Sequence, residues 1–227
     1  MVSTRQSYND ELEALRQNIS SMGQAVDLAM HQAMKALIEQ DLNLAQAVID
    51  GDDVIDAMEI AIEDKCMVLI ARQQPLAKDL RIIGTGFKIS TDLERIGDHA
   101  TNIAEIALEL AQEQLVKPLV DMPQMATIAQ EMLEDALKSY INLDISLAEA
   151  VCIKDDKVDD LYKKIFCELS KIMAQDSEKI KQSTQLMFVA RYIERIADHA
   201  TNIAEWVIYL VTAQRMRKNQ KSSDKIS

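Results

Sequence analysis

Apolar residues recur every three or four positions along most of this 227-residue chain. Such spacing places them on one face of an amphipathic helix, whereas a half-buried strand alternates apolar and polar residues and no segment does so. The first segment, from Tyr8 to about Gln40, carries its apolar positions at Leu12, Leu15, Ile19, Met22, Val26, Met30, Ala33 and Leu37. The pattern predicts an all-α fold.

Capping residues indicate where the helices begin and end. Asp41 is a favourable N-cap, Gly51 is a residue that ends helices, Asp52 or Asp53 can begin the next helix, and Pro75 ends it. The predicted helices span residues 8–40, 41–49, 52–72 and 78–114, then 125–142, a short continuation from 144, 155–173 and 178–216.

A segment of the third long helix is repeated one hundred residues later. Residues 94–105 read ERIGDHATNIAE and residues 194–205 read ERIADHATNIAE, so only Gly97 is exchanged, for Ala197. A weaker match joins residues 41–56 to 144–159. The repeat indicates an internal duplication, and the short connections predict an up-down-up bundle in each half. We therefore predict one three-helix bundle at 1–117, a second at 118–216 and a basic flexible tail at 217–227.

Composition agrees with long helices that bury aliphatic seams, since 48% of residues are hydrophobic, 4% are aromatic, and the chain has five Gly and three Pro. The net charge of −12 makes nucleic acid an unfavourable partner. Only the C-terminal end is basic, with Arg215, Arg217, Lys218, Lys221 and Lys225 against Asp224. We interpret this end as a solvated terminus, with contact to an anionic lipid or acidic partner at a membrane surface as the alternative.

The cysteines and the hydropathy pattern indicate a reducing compartment. Cys66, Cys152 and Cys167 form no CxxC pair and suggest buried thiols. The N-terminal stretch lacks the apolar core of a signal peptide, and the most apolar run, 206–213, is too short to span a bilayer. These features predict cytoplasmic residence.

Eight carboxylates form four pairs, each with its members four residues apart on a helix. The pairs are Asp52 with Asp56, Glu94 with Asp98, Asp155 with Asp159, and Glu194 with Asp198. Like charges at this spacing repel by a few tenths of a kcal/mol, so a compensating cation is expected. If neighbouring helices turn two pairs toward each other, four carboxylates meet in each half, an oxygen-rich set suited to Mg, Mn or Fe. The sequence therefore predicts one metal site per half.

The competing interpretation is that these acids are ordinary surface charges. Arg95 and Arg195 lie three residues before Asp98 and Asp198 and can pair with them. A carboxylate-bridged metalloenzyme and a metal-free scaffold both remain open. The histidines support neither a metal site nor an enzyme. His31 and His199 are expected to be packed or surface residues, and His99 points away from Asp98. Asn102, in contrast, is within reach of Asp98. No ExxH pair, Ser-His-Asp grouping or glycine-rich phosphate loop is present.

Three motifs carry a resemblance to a known family. They are QQP at 73–75 followed by Ala77, Asp79, Leu80 and Arg81, then KISTDLERIGD at 88–98, and ARYIERIADHATNIAE at 190–205. Over nearly the whole chain the sequence resembles the PhoU family, the accessory proteins of phosphate-specific transport systems. One departure is Ser177, where related sequences commonly carry Pro.

The resemblance implies two similar, spectrin-repeat-like three-helix bundles whose eight paired acids can hold metal ions, in some members as iron or zinc clusters. It further implies a non-enzymatic, cytoplasmic negative regulator of phosphate uptake and phosphate-starvation signalling. Such a protein is an adaptor between a phosphate ABC transporter and a membrane sensor histidine kinase, reaches the membrane through these partners, and forms a homodimer. The alternative function is a carboxylate-bridged metalloenzyme or metal-binding protein.

Overall fold

The computed structural model describes residues 4–73 and 75–215, and this part of the chain is helical without strands. The all-α prediction is confirmed. None of its helices is at once long and apolar enough to cross a membrane. The helices are α1 (Thr4–Glu39), α2 (Leu42–Asp50), α3 (Asp52–Gln73), α4 (Ala77–Leu110), α5 (Asp121–Asn142), α6 (Ile145–Gln175) and α7 (Ile180–Thr212), the last preceded by the short 3₁₀ helix Ser177–Lys179.

The helices pack as two bundles of the same design. In the first, α1, α3 and α4 pack together and α2 lies against α1 and α4; in the second, α5, α6 and α7 pack together. Helix α4 packs against α7, and α1 against α5, so the two halves are in contact. The apolar residues of both halves form one continuous core. The predicted duplication into two three-helix bundles is confirmed, while the predicted boundary after residue 117 falls between α4 and α5. The predicted tail, 217–227, lies outside the described residues.

The second helical segment of each half differs between the two bundles. In the first half the helix is interrupted at Gly51, whose N–H bonds to the carbonyls of Ala47 and Val48, and the new helix α3 begins at Asp52. In the second half α6 runs without interruption, so the predicted new start at Asp155 is wrong. Lys154 occupies the position of Gly51, and it continues the helix while its ammonium binds Glu131 and Asp135 of α5.

Capping explains the other helix ends. Asp41 accepts hydrogen bonds from the N–H groups of Asn43 and Leu44, and Asp144 accepts one from that of Leu147, so both are N-caps as their position indicates. Helix α5 starts at Asp121, before the predicted residue 125, because Pro123 fits in a first helical turn. Helix α7 ends at Thr212, before the predicted residue 216, because Ala213 is left-handed with φ of 59°.

Candidate metal centre

In the first half, the acidic pairs lie where α3 and α4 approach closely. A Cβ added to Gly97 of α4 would meet Ile55 Cγ2 of α3 at 3.1 Å, so the absent side chain lets the two helices pack tightly. Asp52 of α3 reaches α4 here, since its Oδ1 accepts a hydrogen bond of 3.0 Å from Thr101 Oγ1. The close packing therefore turns the acids of α3 toward those of α4.

The pKa values of Glu94 and Asp52 are raised by burial and because carboxylates from two helices lie close together. Burial raises the pKa of Glu94 to about 7, and the charges of Asp98, Glu59 and Asp56 add to the shift while Arg95 opposes it. Burial also raises the pKa of Asp52; the hydrogen bond from Thr101 opposes that shift, and the charges of Asp56 and Asp98 add to it. The first half thus gathers negative charge that the fold leaves partly uncompensated.

One oxygen at this site is left without a hydrogen bond. Glu94 Oε2 is buried and accepts none; the Nε of Arg95 lies 3.3 Å away without hydrogen-bond geometry. The same guanidinium binds Asp98 Oδ2 through Nη1 at 3.0 Å, so the arginine pairing expected from the sequence is present. A buried carboxylate oxygen without a donor is an energetic cost that a cation would remove.

The second half repeats the arrangement between α6 and α7. Asp155 is buried in α6, burial and the charge of Asp198 raise the pKa of Glu194, and burial and the charge of Asp155 raise the pKa of Asp198. Asp159 adds to both shifts. Glu194 Oε2, like that of Glu94, is buried and accepts no hydrogen bond.

The two sites differ in how far arginine neutralises them. In the second half Arg191 Nη1 binds Glu194 Oε1 at 2.7 Å and Arg195 binds Asp198 at 3.3 Å. Among the described residues of the first half, only Arg95 pairs with these acids, because Thr91 takes the place of Arg191. It also has one more acid, Glu59, at the position of Tyr162, and burial and the charge of Glu63 raise its pKa.

Sequence reasoning missed Glu59, Thr101 and Arg191 as members of these sites. Glu59 follows Asp52 by seven residues and Asp56 by three, a helical spacing that already indicated the same face. Thr101 follows Asp98 by three residues and so lies on the same face of α4, but its hydrogen bond to Asp52 depends on the packing of α3. Arg191 has no counterpart in the first half, so the repeat did not point to it.

The donors fit a hard or borderline divalent cation in type and charge, since they are carboxylates and each half holds a buried oxygen without a donor. Within residues 4–73 and 75–215, however, no group of three or more His, Cys, Asp or Glu side chains stands close enough to hold a metal ion. Binding would therefore require at least one carboxylate to change rotamer. Such a cation would displace the arginine side chains that now bind these carboxylates.

The histidines next to the acids join the two halves and do not point at the carboxylate sites. His99 of α4 stacks on Tyr192 of α7 and lies 5.7 Å from the ring of His199. His199 Nδ1 is 2.8 Å from Asp92 Oδ1, and burial lowers the pKa of His99 to about 4. Asn102 donates to the backbone carbonyl of Asp98 at 2.6 Å, and the expected contact with its carboxylate is absent. Imidazole ligands therefore lie outside both acidic sites.

Replacing Glu94 by Gln is expected to stabilise the metal-free protein at alkaline pH. The folded-state pKa of about 7 lies above the ordinary 4.5, so the unfolded chain releases this proton first and the free energy of unfolding falls as pH rises between these values. Gln cannot ionise, so Glu94→Gln should gain about 1 to 2 kcal/mol at pH 8, less than the full shift would give because the carboxylate is partly solvated.

The measurement is chemical denaturation in chelator at pH 5 and pH 8. Glu149→Gln, which alters an exposed acid on α6, is the matched control and should follow the wild type. A Glu94→Gln variant that loses stability in parallel with the wild type over this range would contradict the burial of charge at Glu94.

Comparison with known proteins accounts for the duplication. The family model described as PhoU domain matches residues 19–107 and again residues 122–207. The two matches fall on the two bundles, so each half is similar to a PhoU domain.

Whole proteins and solved structures agree. The chain is 42% identical, over 95% of its length and 99% of the relative's, to a phosphate-specific transport system accessory protein PhoU homolog of Clostridium acetobutylicum. It is 38% identical to the accessory protein PhoU of Escherichia coli, over 92% of this chain and 87% of that one. The crystal structure of PhoU from Pseudomonas aeruginosa superposes with a TM-score of 0.89 at 38% identity, over 91% of this chain and 100% of that one. A phosphate transport system regulatory protein PhoU from Streptococcus pneumoniae gives 0.87 at 31% identity, over 92% and 99%.

Proposed function

This chain belongs to the PhoU family, whose members are named accessory and regulatory proteins and not enzymes, and we propose that it is a negative regulator of phosphate uptake and phosphate-starvation signalling. In this proposal it is a cytoplasmic adaptor between a phosphate ABC transporter and a membrane sensor histidine kinase. The observation that carries it is the match of both halves to relatives over nearly their full length.

The regulatory effect must come from unequal affinity for the states of its partners. An adaptor that binds two states of a transporter or kinase equally shifts neither, however tightly it binds. We therefore infer that it binds the phosphate-replete state of the transporter more tightly and, in that complex, holds the kinase in its inhibitory state. Attachment to the membrane then occurs through these partners.

Deletion of the gene is expected to switch on phosphate-starvation genes in phosphate-rich medium, because the kinase loses its inhibitor. A reporter fused to a starvation promoter measures this, with complementation by the intact gene as the control. An unchanged reporter in a clean, complementable deletion would count against the adaptor role.

We also propose that Asp52, Asp56, Glu94 and Asp98 hold a divalent or iron cation in the first half, and Asp155, Asp159, Glu194 and Asp198 one in the second. A bound cation would neutralise the crowded carboxylates and lock α3 to α4 and α6 to α7. Its contribution would be structural, or it would supply a docking point for acidic groups of a partner. The acids and their arginines would bind and orient, and no reaction is assigned to them.

The homodimer that the family resemblance implies has a suitable surface on α3. The outer face of α3, formed by Val54, Ala57, Ala61, Asp64, Val68 and Ala71, is solvent-exposed and mostly apolar. The equivalent face of α6 consists of Lys157, Asp160, Lys164, Cys167, Lys171 and Ala174 and is mostly charged. A contiguous apolar face that is exposed on a helix normally marks a contact with a partner. The contrast within one duplicated fold indicates a partner for α3.

The charges at the ends of this face fit a second copy of the chain. The six positions alternate in steps of three and four, the spacing of a helix-pairing seam. Two antiparallel copies of α3 would place Val54 against Ala71 and Ala57 against Val68 of the other copy. The same arrangement would pair exposed Asp53 with exposed Arg72 at both ends. We therefore propose an antiparallel α3 contact as the dimer interface.

Charge reversal tests this interface. Asp53→Lys and Arg72→Glu are each expected to weaken the dimer about tenfold, because each places like charges together twice, and the double variant should restore it. Sedimentation or light scattering across a concentration series measures the dimer, and Asp156→Lys, at the equivalent position of α6, is the control. Single variants that dimerise as well as the wild type would place the interface elsewhere.

A further inference from the structure

A concave surface lies between the first half of α4 and the end of α7. Two adjoining cavities of about 460 and 470 Å³ share the side chains of Lys88, Trp206, Tyr209 and Arg215. The second cavity is extended by Ala77, Leu80, Arg81, Gly84 and Ala213. We call this surface the α4–α7 groove. Its size is that of a small-molecule site.

The groove carries positive charge that no acid of the described residues neutralises by an ion pair. Arg81, Lys88 and Arg215 line the second cavity, whose lining contains no acid. The first cavity is also lined by Asp92, which binds His199 and Asn202, and by Glu205. None of the three cations makes a salt bridge with residues 4–73 or 75–215. Arg81 Nε is buried and donates no hydrogen bond. In a chain with a net charge of −12, three unpaired cations in one groove indicate an anionic ligand.

Flat side chains occupy the other wall. The guanidinium of Arg215 lies 5.3 Å from the ring centre of Trp206 and 5.6 Å from that of Tyr209, and the two rings meet edge to face. Planar rings and guanidinium groups favour the stacking of a planar aromatic compound. The adjoining cavity also presents Glu205, an acceptor for hydroxyl or amino groups.

Two features of the backbone leave room for such a ligand. A Cβ added to Gly84 would meet no atom within 4 Å, so the groove stays open above this residue. Helix α4 begins beside the groove, and its N-cap Leu76 has no side chain that bonds the free N–H groups of the first turn. These N–H groups add to the favourable potential for an anion.

The duplicated half also has a cavity, of about 510 Å³, where the end of α4 meets the start of α7, but its lining differs. Glu109 and Ile106 stand at the positions of Tyr209 and Trp206, and Phe188 stands at that of Lys88. Glu109 accepts a hydrogen bond from Gln185, and Lys181, at the position of Arg81, is paired with Glu113. The cavity therefore follows from the common fold, whereas the combination of unpaired cations and aromatic rings is specific to the α4–α7 groove.

We propose that the α4–α7 groove binds a nucleotide, with its phosphates at Arg81 and Lys88 and its base against Trp206, Tyr209 and Arg215. Phosphate oxygens match the arginine fork and the ammonium charge, and the base matches the aromatic wall. The proposal goes beyond the regulatory role and stands or falls separately from it.

Trp206 is the single tryptophan of the chain, so its fluorescence reports directly on the groove. ADP added to the full-length protein is expected to quench it saturably, and calorimetry should give the same affinity.

Arg81→Glu and Lys88→Glu should each weaken binding about tenfold or more, since each removes a phosphate partner and adds repulsion. Gly84→Leu, which fills open space, should abolish binding and leave the circular dichroism spectrum unchanged. Lys181→Glu, at the position equivalent to Arg81, should bind as the wild type does.

Other ligands separate the possible sources of the anion. Adenosine and pyrophosphate should each bind more weakly than ADP, because each lacks half of the matching chemistry. Equal affinity for pyrophosphate and ADP would overturn the role of the aromatic wall. Quenching by phosphatidylglycerol vesicles without quenching by ADP would overturn the nucleotide assignment in favour of a lipid surface. Absence of saturable binding, or equal ADP affinity in Arg81→Glu, would overturn it altogether.

Discussion

Mn²⁺ added to chelator-treated protein is expected to raise the thermal midpoint by about 5 to 10 °C, and Asp98→Asn to remove most of this rise. A ligand at a hundred times its dissociation constant stabilises the folded state by about 2.7 kcal/mol, and each kcal/mol shifts the midpoint of a chain of this size by roughly 2 to 4 °C. The gain has a physical source in the first half, where Glu94 and Asp52 have raised pKa values and Glu94 Oε2 has no donor.

The two halves should respond unequally. Asp198→Asn is expected to remove a smaller part of the rise, because Arg191 and Arg195 already neutralise Glu194 and Asp198 and compete with a cation. Scanning calorimetry measures both variants. Asp10→Asn, an exposed acid near the start of α1, serves as the control.

Elemental mass spectrometry on tag-free protein purified without chelator gives an independent readout. Stoichiometric metal that is lost in the Asp98→Asn, Asp198→Asn double variant would support the carboxylate sites. A double variant with the same Mn²⁺ response as the wild type would contradict them and leave the acids as a metal-free docking surface.

The second large effect is expected at the contact between α1 and α5. A Cβ added to Gly23 would lie 2.5 Å from Cδ1 of Leu137, so the side chain of Leu137 must move before α1 can carry a side chain at this position. Gly23→Leu introduces four carbons into this contact, and overpacking of this kind costs about 1 to 3 kcal/mol. We expect a loss near the upper end, because a contact between the two halves must open.

Gly84→Leu is the matched comparison. It makes the same change inside a helix, but no neighbouring atom lies within 4 Å of the new Cβ, so the better helix propensity should leave stability unchanged or raise it by up to about 1 kcal/mol. Urea denaturation measures both variants. Leu137→Ala in the Gly23→Leu protein should recover part of the loss. Equal stability of the two leucine variants would show that the α1–α5 contact adapts without cost.

Helix periodicity and capping predicted most of the architecture, because these signals are local. Asp41 caps the start of α2 and Gly51 ends it, as the sequence pattern predicted. The predicted helix break before Asp155 was wrong because the second half has Lys154, and no glycine, at the position of Gly51. Lys154 favours a continuous helix, and its partners Glu131 and Asp135 lie on a different helix that the local pattern does not contain.

The acidic face of α4 was predictable from angles around a helix, but its neutralisation was not. Whether Arg191 binds Glu194 depends on rotamers and on what the neighbouring helix offers, here the ring of Tyr162 at 5.9 Å from the guanidinium. The α4–α7 groove joins Arg81 to Arg215, residues far apart in the chain. Only tertiary packing places them together, so no spacing in the sequence indicated the groove.

The interruption of the chain at Gly51 has a consequence for local unfolding. The backbone hydrogen bonds of α6 pass the corresponding position unbroken, whereas α3 starts at Asp52 and the N–H of Val54 bonds to the carbonyl of Gly51, outside the helix. Amide hydrogens around 52–55 should therefore exchange with solvent faster than those around 155–158, through openings that leave the rest of the fold intact. Each opening would carry Asp52 away from Thr101, so the first acidic site would form and disperse with this fluctuation while the second stays assembled.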